Sequence, residues 1–147
     1  MSGFSIRDAL PEDADDVARL MAFVGGTIPA GDHRARPGLE SFLSQDGAVL
    51  VAESEGRVVG ACTLLFTRFN PMDAAPGAWL DGLAVEESAR SRGIGRALME
   101  EARRRAEGAG CDSIVLHTHE DQGAALALYG SLDMKRHGIL MVWPLSR

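Results

Sequence analysis

Seven residues carry the most legible chemistry in this chain: Arg90, Ser91, Arg92, Gly93, Ile94, Gly95 and Arg96, which lead into a run of good helix formers ending at Gly108. A helix that opens on glycine leaves several backbone N–H groups without intrahelical partners, gathered at the positive end of the helix dipole. A missing Cβ lets an anion come close to that backbone, so the arrangement suits a phosphate. Residues 90–105 hold six arginines against Glu100 and Glu101, a local balance of +4 inside a chain of net charge -6. The same glycines also suit a plain turn, and the same arginines a solvated helix face. Two nucleotide motifs fail. The run from Gly93 begins like G-x-G-x-x-G but has Leu98 at the third glycine position, and Asp112 precedes its strand instead of ending it. No G-K-[ST] sequence is present, which excludes a P-loop.

Other side chains invite a role. His117 and His119 stand at i and i+2 on an expected strand, facing one way, yet lack further ligands at metal-binding spacing; no metal site is expected. Cys62 and Cys111 form no C-x-x-C pair and read as two buried free thiols. Phe66, Phe69 and Trp79 read as core or cavity wall. Arg103, Arg104 and Arg105 lie too far along the helix to reach an anion at its start. Asp32, His33, Arg34 and Arg36 either recognise a carboxylated ligand or are simply exposed.

The elements that must position these residues follow from periodicity. With 46% hydrophobic and 24% charged residues, the 147-residue chain is expected to be one globular domain, residues 1–147. A pI near 5.1 argues against nucleic acid as a general partner. No secretory signal and no apolar run of eighteen residues is found, so no membrane association and a cytoplasmic location are expected. Strands are expected at 4–9, 48–54, 57–69, 78–85, 112–119 and 138–145. Helices are expected at 10–24, 39–45, in the arginine-rich segment, and at 122–132. The third helix has Ile94, Leu98, Ala102 and Ala106 spaced by four. The order β-α-α-β-β-β-α-β-α-β gives an α/β (α+β) class: a mixed, mostly antiparallel central sheet flanked by helices.

Arg90-x-x-Gly93-x-Gly95 resembles the Q/R-x-x-G-x-G/A signature of the GNAT superfamily of N-acetyltransferases. The resemblance extends upstream to a strand ending L-x-V, here Leu83 and Val85. Downstream it reaches an N-x-x-A-x-x-[LF]-Y pattern, matched by Gln122, Ala125, Leu128 and Tyr129. Gln122 departs from the usual asparagine, and "GSLDM" follows Tyr129 where a glycine and phenylalanine are common. The element order also fits that fold, so the resemblance covers nearly the whole chain.

The resemblance implies acetyl-CoA as cosubstrate, its pyrophosphate held by backbone N–H groups of Arg90, Ser91, Arg92, Gly93, Ile94, Gly95 and Arg96. It implies a splayed strand whose Leu83, Ala84 and Val85 pair with the pantetheine arm, with an N–H near Leu83 polarising the thioester carbonyl. Gln122 would keep its amide near the cofactor. The acceptor would be a primary amine of a small molecule or peptide, entering between the loops at about 25–37 and 68–77; a homodimer is left open. Tyr129 is the expected general acid, because a tyrosine hydroxyl, with an ordinary pKa of ~10, stays protonated at neutral pH and can donate to a departing thiolate. Gln122 and Tyr129, seven residues apart, share nearly one helix face. Core packing of the ring is the competing account. Asp81 is the expected base, two residues before Leu83 and so on the same strand face; Glu53, His119 or a water chain are the alternatives. A noncatalytic acetyl-CoA-binding sensor or regulatory module of the same fold is the second reading.

Overall fold

The computed structural model describes residues 3–24, 28–70 and 74–145, which fall into two compact units, Met1–Leu116 and His117–Arg147. The first unit holds strands β1 (Ser5–Asp8), β2 (Gly47–Ser54), β3 (Arg57–Asn70), β4 (Ala75–Val85) and β5 (Ser113–Leu116). Its helices are α1 (Ala14–Met21), α2 (Ala35–Leu43) and α3 (Ile94–Gly108). The strands form one sheet in the order β1-β2-β3-β4-β5. Neighbours are antiparallel except β4 and β5, which are parallel. The mixed, mostly antiparallel sheet is the expected one.

Helices cover both faces, which explains why the strand sequences read as unbroken apolar runs. On one face Val17 and Leu20 of α1 and Leu39 of α2 pack with Val49, Val51, Val58, Ala61 and Ala84. On the other, α3 lies so close to β3 that a Cβ at Gly60 would stand 3.1 Å from Ile94 Cγ2 and 3.2 Å from Leu98 Cδ1. The four α3 residues spaced by four are all buried. Such close packing leaves little room for substitution.

Boundaries moved where local chemistry intervened. Pro11 opens a 3₁₀ turn over Pro11–Asp13, not an α-helix from residue 10, because the Asp13 carboxylate draws back the Leu10 N–H (2.7 Å) and the Arg7 guanidinium (2.7 and 3.0 Å). Another 3₁₀ turn, Ala22–Val24, ends the segment. α2 begins at Ala35, four residues before the expected Leu39, and takes Pro37 into its first turn, where proline needs no N–H partner. β3 and β4 each extend past the expected ends, so much of the expected 68–77 loop is hairpin strand; residues 71–73 and, in the earlier loop, 25–27 lie outside the described residues.

The second unit contains α4 (Gly123–Ser131), capped by Gln122, whose carbonyl accepts the Leu126 N–H at 2.9 Å. The expected last strand at 138–145 is absent: these residues have no regular structure, and Ile139, Met141 and Trp143 are exposed. An apolar, β-prone sequence becomes a strand only when a partner supplies its ladder hydrogen bonds. Among the described residues, no helix is long and apolar enough to cross a membrane.

Candidate functional site

Strand β4 builds the centre of the site. Its pairing with β3 runs Gly60–Val85, Ala61–Ala84, Cys62–Leu83 and then jumps to Leu64–Leu80, leaving Asp81 and Gly82 together opposite Thr63. That is a β-bulge, with Gly82 in the left-handed region at φ +93°. The Thr63 hydroxyl donates to the Asp81 carbonyl across it. The bulge reverses the simple alternation of the strand: Leu80 and Leu83 pair with Leu64 and Cys62, two residues of one β3 face, the face covered by α3. The expectation that Asp81 shares the face of Leu83 is therefore corrected. Asp81 and Gly82 stand with Thr63, and Gly82 faces α1.

β5 accompanies β4 only from Gly77–Ser113 to Leu80–Leu116. Beyond Leu80, β4 continues to Val85 past the end of β5, so Leu83, Ala84 and Val85 lie on a stretch of edge that this register leaves open. Such an edge offers backbone donors and acceptors to an extended ligand.

At the end of β4 the chain makes a 3₁₀ turn, Glu87–Ala89, and then the glycine turn. Ser91 (φ +63°) and Gly93 (φ +82°) are both left-handed, and Gly93 caps α3 with no side-chain hydrogen bond. A Cβ at Gly93 would meet nothing within 4 Å, so the glycine serves backbone conformation and access to the helix start. Alternating left-handed residues aim successive N–H groups into one concavity, a nest for anions. The guanidiniums brace this turn: Arg90 Nε donates to the Val85 carbonyl at 3.1 Å, and Arg92 Nη2 donates to Ser54 Oγ on β2 at 3.0 Å. Arg96, on the first turn of α3, lies 4.0 Å from Glu100. Such an arrangement can hold an anion through its backbone N–H groups. Bracing of this kind was not legible beforehand, because Val85 and Ser54 become neighbours of the turn only in the fold.

The remaining arginines of α3 make ion pairs. Arg103 meets Glu107 at 2.8 Å, Arg104 meets Glu101 at 2.7 Å, and Arg105 grips Asp8 on β1 with two bonds of 2.8 and 2.9 Å. In the loop before α2, Arg34 is held by Asp32 (2.8 and 2.9 Å), and in α2 itself Arg36 is held by Glu40 (2.9 Å). Arg36 also reaches Glu12 at 3.6 Å, and the Gly31 N–H is tied to Asp15 at 2.8 Å. Glu53, an alternative base, accepts from Arg7 Nε at 3.1 Å. Cys62 is buried, which pushes its thiol up to about 12. Cys111 is only partly buried, contrary to expectation, and burial together with Asp46 and Asp112 raises its thiol too. Phe69, expected inside, is exposed.

In the second unit, Tyr129 lies in the last turns of α4 and is buried. β5 ends at Leu116, so His117 and His119 are not the strand pair expected; their rings meet edge to face with centroids 6.5 Å apart.

A profile described as the acetyltransferase (GNAT) family matches residues 16–134, which include both the β4–α3 turn and α4. The chain belongs to this family. Among relatives of this GNAT chain, N-acetyltransferase family 8 member 3 of Rattus norvegicus is 39% identical over 88 residues, 60% of this chain and 38% of that protein. N-acetyltransferase 8B of Homo sapiens is 35% identical over 100 residues, 67% of this chain and 44% of that protein. The GNAT chain thus spans about two-fifths of the length of these curated relatives. The solved aminoglycoside N-acetyltransferase AAC(6')-Iy, in complex with CoA, superposes with a TM-score of 0.85 at 19% identity, covering 99% of this chain and 96% of that one. At that identity the likeness is one of fold.

Proposed function

We propose that the protein transfers an acetyl group from acetyl-CoA to a primary amine of a small-molecule or peptide acceptor. The observation that carries the reading is one juxtaposition: the edge of β4 that β5 leaves open after Leu80 runs directly into a nest of left-handed residues at the start of α3. An extended arm ending in a pyrophosphate has that shape, with pairing groups along Leu83–Val85 and an anion site at Arg90–Arg96. The names of the two relatives and the CoA complex of the solved neighbour support the cosubstrate.

In this reading the amine nitrogen attacks the thioester carbon directly. A C–N bond forms, the carbonyl oxygen gains negative charge, and the bulge-adjacent N–H of Leu83 stabilises it. Collapse breaks the C–S bond and expels the thiolate, which takes a proton from the Tyr129 hydroxyl, while the amine proton leaves to a base, for which Asp81 is the candidate. The roles of Tyr129 and Gln122 rest on their motif positions. Arg34 and Arg36 are each paired with a carboxylate of this chain, so their geometry lends no support to a carboxylated acceptor.

A panel of primary amines with acetyl-CoA, followed by release of free thiol, tests the proposal. Turnover on at least one amine class is expected. Tight acetyl-CoA binding with no turnover across a broad panel would favour the noncatalytic sensor instead.

A further inference from the structure

We propose that Glu86 is a positioning residue for the anion-binding turn, held by Arg19 of α1 and Arg57 of β3. The inference rests on the reading of Arg90–Arg96 as the pyrophosphate site.

Glu86 directly follows Val85 and begins the connection from β4 to the turn. All four of its polar groups are used. Its N–H donates to the Val59 carbonyl at 2.8 Å, and its carbonyl accepts the Ala89 N–H at 2.9 Å, which closes the 3₁₀ turn. One carboxylate oxygen, Oε1, accepts from Arg19 Nη1 at 2.8 Å and from Arg57 Nη2 at 3.1 Å; the other accepts from Ser88 Oγ at 3.1 Å. Arg19 is itself fixed, since its Nη2 donates to the Val58 carbonyl at 2.9 Å. Segment 86–89 is therefore pinned to α1 and β3 at once. Its far end delivers Arg90, extended at φ -69° and ψ 163°, into the left-handed Ser91.

Two considerations assign this cluster to positioning and not only to the stability of the whole domain. Arg57 is 68% exposed, and an ion pair with so open a partner adds little to global stability; the Arg19 pair, with side chains 31% and 16% exposed, contributes to stability as well, and for that reason unfolding is measured on every variant. A nest of N–H groups, in contrast, binds an anion well only if it is already formed, because every residue ordered on binding subtracts from affinity. The sign of the charge effect makes the role testable. Loss of the Glu86 carboxylate removes a negative charge from beside the Arg57 and Arg19 guanidiniums, the second of which keeps Asp16 at 3.3 Å, and by charge alone this would tighten the binding of a pyrophosphate. Loss of positioning weakens it.

Glu86→Gln, Glu86→Ala and Arg19→Ala, each checked for wild-type unfolding, are titrated with CoA by calorimetry and assayed for KM and kcat with acetyl-CoA. Glu86→Ala is expected to raise the Kd for CoA by about tenfold, Glu86→Gln by less, and KM for acetyl-CoA to follow while kcat stays within about twofold. Arg19→Ala combined with Glu86→Ala is expected to be no weaker than Glu86→Ala alone. Unchanged or tighter CoA binding in the Glu86 variants overturns the positioning role; should Glu86→Ala unfold, the near-isosteric Gln variant decides. Gly95→Asp, titrated in parallel, separates the two ideas. If it abolishes CoA binding while the Glu86 variants bind like wild type, only the positioning role falls; if it binds normally, the pyrophosphate site is elsewhere and both fall.

Discussion

Gly82 of β4 and Met21 of α1 meet at the bulge: a Cβ on Gly82 would stand 2.8 Å from Met21 Sδ, and the Gly82 backbone is at φ +93°. The absence of a side chain thus lets α1 close onto the strand at the point where the alternation of β4 reverses. Gly82→Ala is expected to cost about 1–3 kcal/mol in chemical denaturation, the strain of a left-handed alanine plus displacement of Met21. Adding Met21→Ala should restore only part of this, because the backbone strain persists. Full recovery in the double variant would show that the contact, not φ, requires glycine.

Gly95 is the second residue of α3, in a turn where an aspartate is compatible with the helix dipole. Gly95→Asp should therefore fold with an unfolding midpoint close to wild type. Its added bulk and negative charge would stand where the pyrophosphate is proposed to lie, and acetyl-CoA affinity is expected to be lost in a calorimetric titration. Wild-type affinity would remove the anion-site reading.

Tyr129→Phe keeps the buried ring and removes only the hydroxyl. As general acid, Tyr129 predicts a fall in kcat of roughly 10²-fold or more with little change in acetyl-CoA affinity. Full kcat on the working amine would leave the residue as core packing, and thiolate departure to water or the helix dipole.

Asp81 is exposed and stands in the bulge with Gly82, on the side of the sheet opposite Leu83. If it takes the amine proton, Asp81→Asn should lower kcat/KM by about 10²-fold with acetyl-CoA affinity little changed. An undiminished kcat/KM would pass the role to another group.

Asp13 ties β1 to the start of α1, and the Arg7 guanidinium, with the Leu10 N–H, holds its carboxyl below the usual carboxylate range against the opposing effect of burial. A depressed folded-state pKa stabilises the fold fully above the unfolded value of ~3.9, and that stabilisation disappears as pH falls through the folded value. Asp13→Asn should be less stable than wild type by about 1–3 kcal/mol at neutral pH, with the gap narrowing below about pH 4. A gap that widens on acidification in urea titrations would contradict this.

What could be read beforehand was whatever is local. Ile94, Leu98, Ala102 and Ala106 announce α3 because their spacing alone gives the helix a buried stripe. Gly93 and Gly95 announce an open helix start because glycine's conformational freedom belongs to the residue. The apolar runs of β2 and β3 announce a sheet covered on both faces, and the GNAT motifs lie in continuous stretches.

Only the tertiary structure decided the bulge at Asp81–Gly82, since it exists in the register between β4 and β3 and not in either strand. The same holds for the bracing of the turn: the Arg90 and Arg92 side chains read as local positive charge or a solvated face until the fold brings the Val85 carbonyl and Ser54 to them. Residues 138–145 have strand composition but no regular structure, because a strand needs a partner's ladder and composition supplies none. The sequence by itself thus determined the family, the buried stripe of α3 and the glycine turn that opens it, all properties of contiguous residues. The direction each side chain of β4 faces, and which guanidinium meets which acceptor, depend on contacts between residues far apart in the chain, and these only the folded sheet could set.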